Sequence, residues 1–298
     1  MLTSHLPIHF LMAVIQFLTV FFINGFIVLV NIMDFIKHRQ MAPLDLLISC
    51  LATSRICQQV LTFLVHLTHL SIIKNMKFTE YYILFMFVNI CGIWLATWLG
   101  VFYCVKIATF PHPLFFWLKM RISKLVPWLI LGSILYASVC TGIHTIYIWT
   151  ITQKFFINFF HKNATQTEEI DIIPFSLLFI HFTVPLIVLF IAVLLLIFSL
   201  GRHTQNMRII ATGTRDHSRT SLFRAMLSIL SFLILYFSHY TIIILFFFHI
   251  LQFGSFSFVF CTVVAGIYPS IHSVILILGN PKLKQKAKMS LLCGQCGQ

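Results

Sequence analysis

Residues 81–124 read YYILFMFVNICGIWLATWLGVFYCVKIATFPHPLFFWLKMRISK, and Glu80 stands immediately before them. From Tyr81 to Ile107 the stretch is apolar and long enough to cross the ~30 Å hydrocarbon core of a bilayer, which takes ~20 residues at ~1.5 Å each. Lys106, Lys119, Arg121 and Lys124 then follow, so the segment runs from an extracellular margin to a basic cytoplasmic one. Gly92, Ala96 and Gly100 recur every four residues, the small-xxx-small spacing that lets helices approach closely where burial from water no longer drives association. That pattern predicts a central helix with several neighbours. Phe85 and Asn89 lie about one turn apart in its outer half, where an amide facing lipid would be costly and an amide facing a wet cavity would not.

The rest of the chain has the same character. Of 298 residues, 59% are hydrophobic, 9% are charged and 33 are Phe, which is more than any soluble core requires and identifies an integral membrane protein. The net charge of +13 would point to nucleic acid only if it clustered on a soluble domain with exposed aromatics, and no such domain is present. Met1 to Pro7 lacks a positive n-region, and the apolar run beyond it continues to about Met33, so the first helix is expected to act as its own insertion signal.

Apolar spans read at roughly 8–33, 44–70, 81–107, 127–150, 175–200, 223–250 and 257–279, with Pro43, Pro127 and Pro174 near helix entrances. The expected fold is therefore all-α, a single seven-transmembrane bundle over residues 1–298 with a cytoplasmic tail at 280–298. Lys37 and Arg39 lie between helices one and two, Lys119, Arg121 and Lys124 between three and four, and Arg202, Arg208, Arg215 and Arg219 between five and six. Lys282, Lys284, Lys286 and Lys288 lie in the tail. The opposite side has Lys74, Lys77, Lys154 and Lys162, diluted by Glu80, Glu168, Glu169 and Asp171. Positive charge stays inside, so the amino terminus is expected outside and the carboxyl terminus in the cytoplasm. The sequon at Asn163, Ala164 and Thr165 falls in a loop that this topology places outside, and glycosylation of Asn163 is expected.

One basic residue lies deep in a span. Counted from Leu44, Arg55 is ~16 Å from the inner end of helix two, and Asn24 and Ser270 come to similar depths on helices one and seven. A guanidinium there needs acceptors, and Asn24, Ser270 and Ser273 offer them. Two readings stand side by side: a clamp joining three helices, or a latch that re-pairs on activation.

His66 and His69 have i, i+3 spacing, but a zinc site needs a third protein ligand and no HExxH-like pattern supplies it, so no metal is expected. His239 and Tyr240 combine polar tips with apolar bodies, which suits either a cavity wall or a satisfied core pair. The eight cysteines fall in apolar spans or the last six residues, so no extracellular disulfide is expected. Cys293 and Cys296 form a lone CxxC, which is open to palmitoylation or to remaining unmodified. Paired carboxylates, a nucleophile elbow and a Gly-rich phosphate loop are all missing from the sequence, which is read as a non-enzyme without a cofactor.

Several stretches carry a family resemblance. Asn24 to Asn31 (NGFIVLVN), Leu51 to Arg55 (LATSR), Phe102 to Ala108 (FYCVKIA), Leu118 to Ile122 (LKMRI), Ser199 to Thr204 (SLGRHT) and His272 to Gln285 (HSVILILGNPKLKQ) resemble the bitter taste receptors, the type 2 taste receptors. The resemblance implies a plasma-membrane G-protein-coupled receptor that binds small bitter compounds and signals through a heterotrimeric G protein of the gustducin type. It leaves open whether receptors form oligomers. Family ligand contacts fall on Phe85 and Asn89 and, on helix seven, near Thr262; His239 or Tyr240 would add a polar tip from helix six. Ile90 and Cys91 follow Asn89 where relatives carry Glu, so selectivity for amines does not transfer. Lys106, Lys119, Arg121, Arg202, Arg208 and Arg215 frame the inner ends of helices three, five and six, either as a G-protein docking surface or as orientation charges touching anionic lipid. A multi-pass transporter or channel is the alternative class; transporters usually show inverted repeats and several buried ionisable groups.

Overall fold

The computed structural model describes residues 6–69, 78–108, 112–160, 172–208, 256–296, and all of 227–241 except 228, 235 and 239. Among the described residues every regular element is a helix: α1 (Leu6–His38), α2 (Pro43–His69), α3 (Phe78–Ile107), α4 (Pro113–Phe160), α5 (Ile172–Arg208), α7 (Phe256–Gly279) and α8 (Pro281–Cys296), with α6 described over Ile229–Ser238. Five of them, α1 to α5, are long and apolar enough to cross a membrane. The bundle is apolar on its outside as well: Phe22, Val139, Phe198 and Phe237 are 67%, 62%, 64% and 61% exposed. A protein solvated by water does not present such a surface, whereas one solvated by lipid does.

The helix ends follow local chemistry. Lys37 falls in the last turn of α1, where a cation complements the macrodipole. Arg39 then turns the chain with φ 55° and donates its backbone N–H to the Phe35 carbonyl at 2.8 Å. Pro43, Pro113 and Pro281 each occupy a first helical position, where the missing N–H costs nothing.

α3 is the centre of the bundle. In its most apolar window 56% of residues are buried, against 28–39% in the other four long helices. The expected small-residue stripe is the surface on which neighbours rest. A Cβ built on Gly92 would stand 2.7 Å from Ser54 Oγ of α2, and one on Gly100 would stand 2.6 Å from Leu189 Cδ1 of α5; Ala96 between them is 3% exposed. Leu47, Leu99, Leu189, Phe232, Leu276 and Leu283 bring six of the helices into one core.

Two expectations change. Pro127 does not open helix four but lies inside α4, which begins at Pro113 and not near 127. Both prolines are chemically eligible as starts; Pro127 is exposed, so the carbonyl it leaves without a helical donor lies at the outer surface of the bundle. Lys119, Arg121 and Lys124 therefore stand on helix and not in a loop. α5 likewise runs on to Arg208, past the expected end near 200, and carries Arg202 and Arg208 on its own extension. Residues 281–296 of the tail are helical.

Candidate functional site

The deep polar layer assembles around Arg55, which is 5% exposed. Its Nη1 donates to Ser273 Oγ at 2.6 Å and to the Pro269 carbonyl at 3.4 Å, and its Nη2 donates to His272 Nδ1. A guanidinium has no lone pair to offer, so His272 Nδ1 is the acceptor and this imidazole carries any single proton on Nε2. Ser273 shares its one hydroxyl proton between Asn24 Oδ1 and the Pro269 carbonyl, each at 2.8 Å. Asn24 spends its own N–H on Val20 O, 2.9 Å away and one turn back. Asn24 thus reaches Arg55 through Ser273. Ser270, also named from the sequence, is buried on the same helix at 8% exposed. His272 was missed as a partner of Arg55; its position beside Ser273 was the available signal.

About 10 Å toward the carboxyl end of α1, seven residues on, lies a second polar group that the sequence reading did not assemble. Lys282 Nζ lies 2.8 Å from Asp34 Oδ2 and 2.8 Å from Asp45 Oδ2, and donates to Asn31 Oδ1 at 3.1 Å. Asn31 Nδ2 bonds Ser49 Oγ at 2.9 Å. Asn280 donates to Asp45 Oδ1 at 3.4 Å while its own Oδ1 accepts the backbone N–H groups of Lys282 and Leu283, capping α8. α1 and α2 are thereby joined twice, to the middle of α7 by the Arg55 layer and to the α7–α8 junction by this one.

In the outer half of α3, Phe85 stacks on Tyr81 at 5.8 Å between centroids. Asn89 is 4% exposed, and no hydrogen bond joins its amide to another described residue. Tyr240 bonds Thr183 across to α5 at 3.1 Å. Thr262 lies on α7, but its side chain, like that of His239, is outside the described residues. Along the Asn89 face and roughly two to three turns farther along α3, Ala96, Gly100, Ile229 and His272 line a narrow gap of about 10 Å³.

The α4 side of α3 holds a polar niche that no sequence motif announced. Tyr136 OH and His181 Nδ1 are 2.8 Å apart, the His144 and His181 rings lie 5.1 Å apart, and Trp94 meets Tyr136 edge-on. Trp94 Nε1, Thr141 Oγ1, His144 Nε2 and His181 Nε2 are buried without a hydrogen-bond partner among the described residues. Such atoms call for water or a ligand.

The inner cations take different roles. Lys119 Nζ donates to the Ala108 carbonyl at 3.2 Å, closing the carboxyl end of α3. Lys106 lies 5.8 Å from the Phe102 ring and Arg121 lies 5.8 Å from the Trp117 ring. The side chains of Arg202 and Arg208, and Arg215 and Asn163 as whole residues, are outside the described residues.

Comparison with known proteins gives these layers a family. Residues 1–295 match the model of the taste receptor protein family, TAS2R. The chain is 54% identical over 301 residues to taste receptor type 2 member 1 of Pongo pygmaeus, covering all of both chains. It is 49% identical to taste receptor type 2 member 119 of Rattus norvegicus, covering 99% of this chain and 88% of that one. With taste receptor type 2 member 2 of Homo sapiens the identity is 32% over 96% of each. The chain belongs to the TAS2R taste receptor family and is a membrane-embedded receptor, not a catalyst.

Proposed function

We propose that the chain is a G-protein-coupled bitter taste receptor of the plasma membrane. It crosses the bilayer seven times as one domain, with its amino terminus outside and its carboxyl terminus in the cytoplasm. It binds small bitter compounds in the outer half of the bundle and activates a heterotrimeric G protein of the gustducin type. The observation that carries this reading is the full-length likeness to type 2 taste receptors. The two shorter apolar helices, Ile229–Ser238 and Pro269–Gly279, fit the seven-pass count, and the excess of Lys and Arg on one side supports the orientation.

The ligand is read as lying against Phe85 and Asn89, with His239, Tyr240 and Thr262 on the facing wall. The support is the buried amide of Asn89, which has a donor and an acceptor to offer. Lys106, Arg202, Arg208 and Arg215 are read as meeting the G protein; Arg121, expected with them, stands beside Trp117 on the exposed face of α4. Lys119 belongs to the α3 cap, and its loss would act on that surface indirectly. The loop containing Asn163 is read as luminal and glycosylated, so Asn163→Gln removes an endoglycosidase-sensitive mass shift.

Cells given the receptor and a matching G-protein α subunit are screened with chemically diverse bitter compounds for calcium release. Agonist-evoked release is the expected result; substrate uptake or conductance without it would overturn the assignment. For Asn89→Ala, potency normalised to surface level should fall about five- to thirtyfold for some agonists and not others, as a contact worth ~1–2 kcal/mol requires. Equal loss for unrelated agonists would make Asn89 a structural residue.

A further inference from the structure

Trp117, Arg121, Lys124 and Trp128 fall at i, i+4, i+7 and i+11 of α4, a single line along one helix face and ~16 Å from end to end. The bundle does not use this line. Trp117 is 52% and Trp128 70% exposed, and Arg121 and Lys124 are exposed between them. Phe116 and Met120, beside the line, are each 67% exposed. Lys119 is turned away to the Ala108 carbonyl, so the outward cations of this segment are Arg121 and Lys124.

The same line continues past Trp128 into Leu131 and Leu135, exposed at 46% and 58%, on a helix whose apolar span is Phe115–Ile146. It is thus continuous with the lipid-facing surface and does not lie on the inward face that meets α3. Indole rings favour the headgroup level, where an apolar body and an N–H donor are both satisfied. Two cations bracketed by two indoles, at the inner end of an apolar stripe, complement a phosphate held at that depth.

We propose that this face of α4 binds the headgroup of an anionic phospholipid of the inner leaflet. Arg121 and Lys124 donate to its phosphate oxygens, Trp117 anchors the cytoplasmic end of the line at headgroup depth, and Trp128, farther along the helix, lies against the acyl chains. The inference rests on the cytoplasmic placement of this end of α4 given under Proposed function. A G-protein surface is the competing occupant; continuity with the lipid-facing stripe favours the lipid.

Full-length receptor is reconstituted in nanodiscs of phosphatidylcholine with and without phosphatidylserine. Lipid retained after detergent extraction is then counted by native mass spectrometry. The parent should retain phosphatidylserine in preference to phosphatidylcholine, and Arg121→Gln with Lys124→Gln should lower that preference about tenfold. Arg121→Lys with Lys124→Arg should keep it, which separates charge from folding, and Lys119→Gln should leave it unchanged. Unaltered phosphatidylserine retention in the double Gln variant overturns the proposal, and if G-protein coupling is lost at the same time the face belongs to the G protein. An epitope appended after Gln298 that is reachable on intact cells overturns the orientation, and with it the assignment to the inner leaflet, whatever the retention.

Discussion

Two polar layers, one joining α1 and α2 to α7 and the other joining them to the α7–α8 junction, hold their cations by different means. Arg55, 5% exposed, is held by neutral dipoles: a serine hydroxyl, a backbone carbonyl and an imidazole. Lys282, whose side chain is 31% exposed, is held by two carboxylates, Asp34 and Asp45. Burying a carboxylate beside Arg55 would add a second desolvation penalty of several kcal/mol; dipoles supplied by helices already in contact do not. At the rim water lowers that penalty, and a pair of acids is tolerated. The deep layer should therefore depend on geometry and be costly to disturb, and the rim on charge and be cheaper to disturb.

The largest effect is expected from Ser273→Ala. It removes an acceptor 2.6 Å from Arg55 Nη1 and the link to Asn24, weakening the hold on a buried charge at a cost of about 3 kcal/mol. Thermal unfolding of detergent-purified receptor and surface level both report it. Arg55→Met, which removes the charge outright, should cost less than Ser273→Ala; the reverse order would mean that side-chain volume matters here more than an orphaned charge.

Lys282→Ala comes next, at about 1–2 kcal/mol, since it leaves Asp34 and Asp45 facing each other but partly hydrated. The penalty should shrink in high salt, whereas that of Ser273→Ala should not. Equal salt dependence in both variants would erase the distinction between the layers.

Asn280→Ala should cost about 1 kcal/mol through loss of the α8 cap. Hydrogen exchange at Lys282 and Leu283 should quicken while α1 stays protected. If α1 loosens to the same extent, the 3.4 Å bond from Asn280 to Asp45 matters more than the cap.

The deep layer could be read from sequence because an arginine inside an apolar run has few places to go, Asn24 and Ser270 come to its depth, and Ser273 stands one turn from Ser270 as a further acceptor. The rim could not. Asp34, Asp45 and Lys282 look like ordinary interfacial charges, and Lys282 is 237 residues from Asp45; only the closed bundle brings them together. The stripe of Gly92, Ala96 and Gly100 was legible because period four is a local property. The start of α4 was not, because Pro113 and Pro127 both meet the chemical requirement for a helix opening and the choice depends on packing that the sequence does not state. The niche of Trp94, Thr141, His144 and His181 drew no attention because its members lie on three helices and each alone is an unremarked polar residue in an apolar span.

The smallest effect is a pH dependence, and it has a definite sign. Partial burial works against the charge of Lys282, but its hydrogen bonds to Asp34 and Asp45 and their negative charges outweigh it, and the ammonium is held above its ordinary value of 10.5. A group whose folded-state value is raised contributes stability that is complete below the unfolded value and disappears as pH rises through the folded one. The stability difference between the parent and Lys282→Ala should therefore stay flat from about pH 6 to about pH 9 and close only in stronger alkali. Urea unfolding of the two proteins across that range measures it. A difference that closes near neutral pH would show that a group other than this ammonium governs the rim, and would remove the electrostatic half of the contrast between the two layers.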